Sequence, residues 1–243
     1  MTAPSKDYGQ KLYEGKAKIV FKAPGGTLIH FFKDSATAFN AQKKAEFEGK
    51  GALNIKMSTL VFRHLTQNGV PTHFIRSIDE RSFETKPLSM LPVEVVVRNR
   101  MAGSLARRLG EAEGAVLNPP LVEWYLKNDQ KGDPQVSEDL LTSFYGVHAQ
   151  DLTECRRQAL RVNEVLSPLF DELGLILVDF KLEFGKDTDG KVLLADEFSP
   201  DTSRLWDKKT LEKLDKDRFR FDLGDLMSGY REVLARLEKR LAV

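Results

Sequence analysis

The sequence predicts an α+β fold of two lobes, with a strand-rich N-terminal lobe over residues 1–90 and a mixed α/β C-terminal lobe over residues 91–243. Short alternating apolar segments separated by turns dominate the first third of the chain, which is typical of strands. The remainder mixes strands with segments of helical character. With 243 residues, 41% of them hydrophobic, the chain can bury a substantial core.

The N-terminal lobe is predicted to consist of strands and one helix. The segments KLYEG, AKIVFKA and TLIHFFK have strand character, with a turn at PGG, residues 24–26. A helix is expected at about 49–68, because Asn68-Gly69 just before Pro71 is a common helix C-terminal signal. HFIRSID and SFETK predict a further hairpin.

The C-terminal lobe is predicted to alternate strands and helices. PVEVVVR, LVEWYLK and GLILVDFKLEFG are strand-like, and the last begins with an apolar run typical of a buried strand. Helices are expected in GSLARRLG, near 149–173, and at about 207–216 and 224–241. No repeat or low-complexity linker separates these elements.

Three ionisable residues alternate with apolar ones along GLILVDFKLEFG. Asp179, Lys181 and Glu183 occupy every second position, so they share one face of the strand. The Asp-Gly pair at 189–190 favours a two-residue type I′ turn, and a turn centred there places Glu183 opposite Asp196. Two ionised carboxylates at that spacing repel each other, and Mg²⁺ would remove the repulsion. The alternative is a solvated hairpin face with incidental charges.

Two lysines suggest a phosphate ligand. Lys16 and Lys18 share one face of a strand that follows Gly15, although solvent-facing lysines are also common on strands. The sequence lacks GxxxxGK[ST] and GxGxxG, which excludes a P-loop and a Rossmann fingerprint. A lysine-bearing strand over phosphates, with metal-binding carboxylates on a later hairpin, is the arrangement of kinase-like and grasp-like nucleotide sites.

Two arginine-containing motifs also suit an anion. In LPVEVVVRNRMAGS, Arg98 and Arg100 end an apolar strand just before Ser104, where helix N-terminal amides and a hydroxyl would form an anion site. In DEFSPDTSRLWD, Arg204 follows a polar loop. Each arginine could equally form an ordinary surface ion pair.

The overall composition excludes several classes of partner. The net charge of +1 gives no reason to expect nucleic acid or an anionic membrane. The single cysteine, Cys155, rules out an internal disulfide and suggests a reducing compartment; we expect a packed side chain there, with a reactive thiol as the alternative. No signal-peptide pattern and no apolar run of the roughly 18 residues needed for a membrane span occur, so a cytoplasmic location is expected.

Four motifs together resemble the SAICAR synthetase (phosphoribosylaminoimidazole-succinocarboxamide synthase) family of purine biosynthesis: LPVEVVVRNRMAGSL, LKNDQKGDP, LVDFKLEFG and DEFSPDTSRLWDKKTLEKLDKDRFR. The likeness runs from KLYEGKAK to the C-terminal helix. It implies a kinase-like N-terminal lobe with ATP in the cleft between the lobes, and a homodimer. The implied reaction uses ATP and Mg²⁺ to join L-aspartate to the carboxylate of the imidazole nucleotide CAIR through an acyl phosphate, giving SAICAR, ADP and phosphate.

The resemblance also implies roles for individual residues. The implied ATP-binding residues are Lys16, Lys18, Lys86 and Met90. The implied substrate-binding residues are Arg98, Ser104, Lys127, Asp133 and Arg204. Glu183 and Asp196 would hold Mg²⁺, while Lys181 would lie among the reacting groups and Asp179 would orient its neighbours. KDSATAFN (33–40) resembles the family's flexible loop less closely, which leaves the role of Asp34 open.

Two other functions remain as alternatives. A small-molecule kinase of the same fold neighbourhood would transfer phosphate to a hydroxyl and stop there. A nucleotide-binding regulatory module would bind without turnover, but the complete set of carboxylates, lysines and arginines argues against it.

Overall fold

An antiparallel sheet forms the N-terminal part of the computed structural model, which describes residues 6–38 and 42–241. The elements in this part are β1 (Gln10–Glu14), β2 (Lys18–Lys22), β3 (Leu28–Phe32), β4 (Ser35–Ala38), β5 (Lys43–Glu46), α1 (Lys50–Gln67), β6 (Phe74–Asp79) and β7 (Ser82–Thr85). Five of the strands pair in the order β1-β2-β3-β7-β6. These bounds confirm the predicted strands, the predicted hairpin and the helix expected at 49–68.

A second antiparallel sheet forms the centre of the C-terminal part. Its strands are β8 (Ser89–Arg100), β9 (Val116–Leu126), β10 (Gln135–Val136), β11 (Leu175–Lys186), β12 (Val192–Ala195) and β13 (Ser203–Asp207). They pair in the order β10-β9-β8-β11-β12, and β13 also pairs with β11. The chain passes from the first sheet to the second between Thr85 and Ser89, close to the lobe boundary predicted at residue 90. That division into lobes stays a prediction.

Helices cover these sheets and complete one large apolar core. They are α2 (Gly103–Leu109), α3 (Glu138–Ser143), α4 (Ala149–Glu172), α5 (Asp217–Arg220) and α6 (Leu226–Leu241). The helix α4 buries Leu152, Cys155 and Ala159 at helical spacing, because one face of it packs on β11. Cys155 is fully buried, which confirms the expected packed side chain, and this burial raises the pKa of its thiol to about 12. No helix in the described ranges is long and apolar enough to cross a membrane.

The segment predicted as a flexible loop, residues 33–40, is described only as far as residue 38. Residues 35–38 form β4, which pairs with β5, and residues 39 and 40 lie outside the described residues. Asp34 has two partners within the protein. Its Oδ1 accepts a hydrogen bond from the Gly51 amide at 2.9 Å and lies 3.0 Å from Arg81 Nη2. Asp34 therefore connects the first sheet to the beginning of α1.

The predicted register of the β11–β12 hairpin is wrong by one residue. Glu183 pairs with Ala195 and not with Asp196. The Asp187 amide donates to the Lys191 carbonyl at 3.0 Å, so the loop holds three residues, and Gly190 adopts the left-handed conformation at φ 78°. Asp196 lies just beyond the end of β12, with φ 64°, and this conformation turns the chain out of the strand.

The helix predicted at 207–216 is also wrong. β13 continues to Asp207, whose Oδ1 accepts the amides of Lys209 and Thr210 at 2.9 and 3.0 Å. An aspartate that accepts amides two and three residues ahead can cap a helix or close a turn, and Leu211, with φ 60°, takes a conformation that a helix does not allow. The chain returns to pair Lys213 with Trp206 in an isolated bridge, and only a short helix, α5, follows.

Candidate active site

Two adjoining cavities contain all of the predicted site residues. The first, about 500 Å³, lies between the two sheets and is lined by Lys16, Lys18, Lys86, Met90, Lys127, Asp133, Lys181, Glu183 and Asp196. The second, about 200 Å³, is lined by Arg98, Ser104, Asp179, Lys181 and Arg204. Lys181 and Glu94 line both cavities, so they stand where the two meet.

The strand β11 runs from the first cavity into the second. Glu183 lines the first cavity, Lys181 lines both, and Asp179 lines the second. Because alternate residues of a strand point to one face and lie about 6.6 Å apart, the three side chains form a row across the junction. The alternation predicted from the sequence therefore places one charged group in each cavity and one at their boundary.

Lys181 is the centre of a cluster of carboxylates at this junction. Its ammonium lies 2.6 Å from Glu183 Oε1, 3.1 Å from Glu94 Oε1 and 3.3 Å from Asp196 Oδ2. Burial alone would lower the pKa of Lys181, but the three carboxylates outweigh it and hold the pKa well above its ordinary value. Lys181 is therefore a permanent cation at the boundary.

Two further lysines pair with the same carboxylates. Lys18, on β2, forms an ion pair with Asp196, and Lys127, after β9, forms one with Glu183. Burial would raise the pKa of Asp196, but Lys18, Lys181 and Lys127 together lower it well below its ordinary value. Glu183 and Asp196 thus both contact the Lys181 ammonium, and they do not stand directly opposite each other on adjacent strands.

Glu183 and Asp196 fit an Mg²⁺ ion that takes its other ligands from a substrate. Each places an oxygen within 3.3 Å of Lys181 Nζ, and no group of three or more His, Cys, Asp or Glu side chains in the described ranges could form a complete protein cage. Mg²⁺ usually takes one or two carboxylates, several waters and substrate phosphates. The donor set therefore suits a metal that arrives with a phosphorylated ligand.

In the second cavity, Arg98 is committed to protein partners. Its side chain is 3% exposed; Nε donates to Glu123 Oε2 at 2.6 Å and Nη1 to Asp179 Oδ2 at 2.7 Å. Nη2 donates to Ser104 Oγ at 3.0 Å and Tyr125 Oη at 3.1 Å. All three nitrogens of the guanidinium thus have partners within the protein.

One amide of the helix N-terminus expected to bind an anion has a partner within the protein. The Gly103 amide donates to Glu113 Oε1 at 2.8 Å. Gly103 has φ 59°, and a Cβ there would lie 2.4 Å from Arg204 Nη2, so only glycine leaves room for this guanidinium. The start of α2 therefore leaves space for the Arg204 guanidinium, and the anion site expected at this helix stays a prediction.

Several functional candidates were missed by the sequence argument. Glu94 lies on β8 across from Glu183, and its position in the alternating strand PVEVVVR was a signal that could have been used. Glu197 is buried in the wall of the first cavity, where burial raises its pKa to about 7 and its Oε2 has no hydrogen-bond partner among the described residues. Nothing in the local sequence distinguishes Glu197 from its neighbour Asp196.

A buried network around Asp201 was also missed. Asp201 lines the second cavity, forms an ion pair with Lys50 and accepts hydrogen bonds from Asn54 at 2.6 Å and Tyr230 at 2.9 Å. Lys50 is fully buried at the beginning of α1, and Tyr230 lies on α6. The network joins the loop before β13 to two helices distant in sequence, so no local pattern could reveal it.

Comparisons with known proteins agree on one family. The family model described as SAICAR synthetase matches residues 11–237. A phosphoribosylaminoimidazole-succinocarboxamide synthase from Persephonella marina is 51% identical over 232 residues, which cover 95% of this chain and 97% of that protein. A synthase of the same name from Ehrlichia chaffeensis has a similar structure, with a TM-score of 0.92, 44% identity and coverage of 94% and 98%. A SAICAR synthetase solved in complex with ADP gives a TM-score of 0.91, 47% identity and coverage of 94% and 98%.

Proposed function

The chain belongs to the SAICAR synthetase family, and from this premise we propose that the first cavity binds ATP and the second binds CAIR. It is an ATP-dependent ligase of purine biosynthesis that joins L-aspartate to the carboxylate of CAIR, giving SAICAR, ADP and phosphate. The observation that carries the assignment of the cavities is their junction at Lys181 and Glu94, where a phosphate from one side can meet a carboxylate from the other.

In the first cavity, the proposed ATP site offers both apolar surface and positive charge. Val20, Leu28 and Met90 supply apolar surface suited to a base, whereas Lys16 and Lys18 supply positive charge suited to phosphates. Lys86 lies on the same wall, after β7. This division supports the kinase-like reading, in which the N-terminal sheet covers the nucleotide and the hairpin β11–β12 faces its phosphates.

Glu183 and Asp196 are the proposed residues that hold Mg²⁺. When bound, the ion would neutralise charge on the phosphates and orient them. Both carboxylates are at present paired with lysines, and the phosphates of ATP would give Lys18 and Lys127 alternative anionic partners. The same side chains can therefore change partners without leaving a buried charge uncompensated.

The chemistry requires activation of a carboxylate. A carboxylate is a poor acyl donor, so one of its oxygens must first be phosphorylated by ATP, after which the aspartate amine displaces phosphate from the acyl carbon. Lys181, a permanent cation at the junction, is placed to offset negative charge on the transferred phosphoryl group and the acyl oxygen. Lys127 and Asp133 line the first cavity near this point and are the proposed contacts for the incoming substrates.

The protein's contribution is then orientation and charge neutralisation, without a covalent enzyme intermediate. Cys155 is buried in α4 and its pKa is about 12, so it supplies no nucleophile. From the resemblance alone we also propose two lobes divided near residue 90, a homodimer and a cytoplasmic location.

An isotope experiment tests the proposed reaction against the small-molecule kinase alternative. CAIR labelled with ¹⁸O in its carboxylate should deliver label to inorganic phosphate, and only when SAICAR forms, because the activated oxygen leaves with the phosphate. A kinase would leave its phosphate on the product, and simple ATP hydrolysis would take oxygen from water. Mass spectrometry of the released phosphate reads the result, and unlabelled phosphate beside full SAICAR formation would exclude the acyl phosphate.

A further inference from the structure

A third cavity, of about 610 Å³, lies where β8 ends and β11 begins. Its walls come from the last residues of β8, the first residues of β9 and β11, the C-terminal half of α4 and the chain after β13. It shares no lining residue with the first or the second cavity. Its volume lies within the range of about 300–1,000 Å³ that is usual for small-molecule sites.

The cavity exists because β8 and β11 stop pairing before β11 reaches its first residue. Their pairing ends at Asp179, although β11 begins at Leu175. Beyond that point β8 stays paired with β9, through a shifted register. The Asn99 side chain bridges the gap and donates to the Leu177 carbonyl at 3.0 Å. The third cavity is therefore the space left where two strands of one sheet no longer pair.

The polar side chains on one wall of this cavity satisfy one another. Asn99 Nδ2 donates to Asn163 Oδ1 at 2.8 Å, and Asn163 Nδ2 donates back to Asn99 Oδ1 at 2.9 Å. Ser167 Oγ also donates to Asn163 Oδ1, at 2.9 Å. These hydrogen bonds join β8 to α4, so they fix the shape of the wall without a ligand.

Arg100 offers donors that the protein does not use. Its Nη1 donates to the Gly114 carbonyl at 2.9 Å, whereas Nε and Nη2 have no partner among the residues that the structure describes. No carboxylate within those ranges pairs with this guanidinium. The other charged side chains that line the cavity, Lys208 and Asp171, pair with each other. The third cavity therefore carries one positive charge that no described carboxylate balances.

Apolar side chains supply much of the remaining surface. Leu175 and Leu177 are buried, while Val116 and Leu211 line the cavity and are 66% and 58% exposed, so they form its rim. Val116 is the cross-strand partner of Arg100, which places apolar surface beside the positive charge. Large apolar side chains exposed at the edge of a cavity favour a ligand with an apolar body.

We propose that the third cavity binds a small organic anion, with a compact apolar body and one acid group that pairs with Arg100. Nε and Nη2 lie on one edge of a guanidinium, so they can donate to two oxygens of a single carboxylate, sulfonate or phosphate. One acid group suffices, because Asp171 already neutralises Lys208. This site is separate from the proposed ATP and CAIR cavities and does not depend on the proposed function.

Fluorescence titration with 1-anilinonaphthalene-8-sulfonate tests the proposal, because this probe joins a flat apolar body to one sulfonate. Saturating ADP is present, so that the probe does not compete for the first cavity. We expect one saturable site in wild type, with a Kd that rises by about 10- to 100-fold in Arg100→Gln. The control is Arg231→Gln, which changes an exposed arginine of α6 that lines none of the three cavities and should leave the Kd unchanged.

A second probe and a second variant separate charge from apolar contact. N-phenyl-1-naphthylamine has the same rings without the sulfonate, so it should bind wild type at least about 10-fold more weakly, with the same Kd in Arg100→Gln. Val116→Asp places a carboxylate across the strands from Arg100 and should abolish binding of the sulfonated probe. Because Val116 is largely exposed, the fold should tolerate this change.

Several results would overturn the proposal. Equal Kd values for the sulfonated probe in wild type, Arg100→Gln and Val116→Asp would show that Arg100 does not bind the acid group. Absence of a saturable site in wild type would also refute it, and a wild-type dimer that dissociates in Val116→Asp on sedimentation would then identify a second copy of the chain as the occupant. If circular dichroism shows that Arg100→Gln is unfolded, Val116→Asp alone decides the matter.

Discussion

Replacement of Asp179 by asparagine should destabilise the protein strongly, because Asp179 is the carboxylate that pairs with both Arg98 and Arg204. Its side chain is 5% exposed and its oxygens lie 2.7 Å from Arg98 Nη1 and 2.9 Å from Arg204 Nη1. Asp179→Asn keeps the shape but removes the negative charge between two buried guanidiniums. Breaking a buried ion pair costs about 3–5 kcal/mol, and since the amide oxygen can still accept one bond we expect about 3 kcal/mol.

Thermal unfolding followed by circular dichroism measures this loss. For a chain of this length, about 3 kcal/mol corresponds to a fall in Tm of about 6–12 °C. The matched control is Asp171→Asn, since Asp171 pairs with Lys208 at the surface, with side chains 63% and 50% exposed. That variant should lose less than about 1 kcal/mol. Equal Tm values for the two variants would refute the reasoning that burial makes the Asp179 ion pairs important.

Two further predictions concern the first cavity. Glu183→Gln and Asp196→Asn should each lower Mg²⁺-dependent turnover by about 100-fold or more at a temperature where the variant is folded, and near wild-type rates at low Mg²⁺ would exclude this metal site. His73, whose pKa burial lowers to about 3, binds a proton only in the unfolded state between about pH 3 and 6.5, so it removes stability as the pH falls. Between pH 7 and pH 5, the free energy of unfolding of His73→Gln should therefore fall by about 2 kcal/mol less than that of wild type. Urea unfolding at both pH values measures the two losses, and equal losses would contradict the prediction.

The sequence predicted most of the secondary structure, because the signals for it are local. The helix α1 ends where Asn68 and Gly69 were expected to stop it, and α4 occupies nearly the whole range predicted for it. The alternation in β11 correctly placed Asp179, Lys181 and Glu183 in one row. Periodicity and capping residues act over a few positions, so they can be recognised without knowledge of the partners.

The two errors of local structure arose where competing local signals were close in energy. An Asp-Gly pair is compatible with a two-residue turn or with a three-residue loop whose glycine is left-handed, and Gly190 takes the second form. Residues 207–216 have helical composition, and Asp207 accepts two amides as a helix N-cap could, yet Leu211 takes φ 60° and the backbone pairs Lys213 with Trp206. In both places a hydrogen bond of the folded chain decided the outcome.

The sequence by itself determined the family, the order of the main elements and most of the charged residues that line the two cavities. Only the tertiary structure decided which charge meets which: Lys18 pairs with Asp196 from 178 positions away, and Lys50 with Asp201 from 151. It likewise decided that Arg98 is enclosed by protein acceptors while Arg100 keeps donors free among the described residues. The physical reason is that ion pairing depends on distance and burial in space, and packing of distant segments sets both.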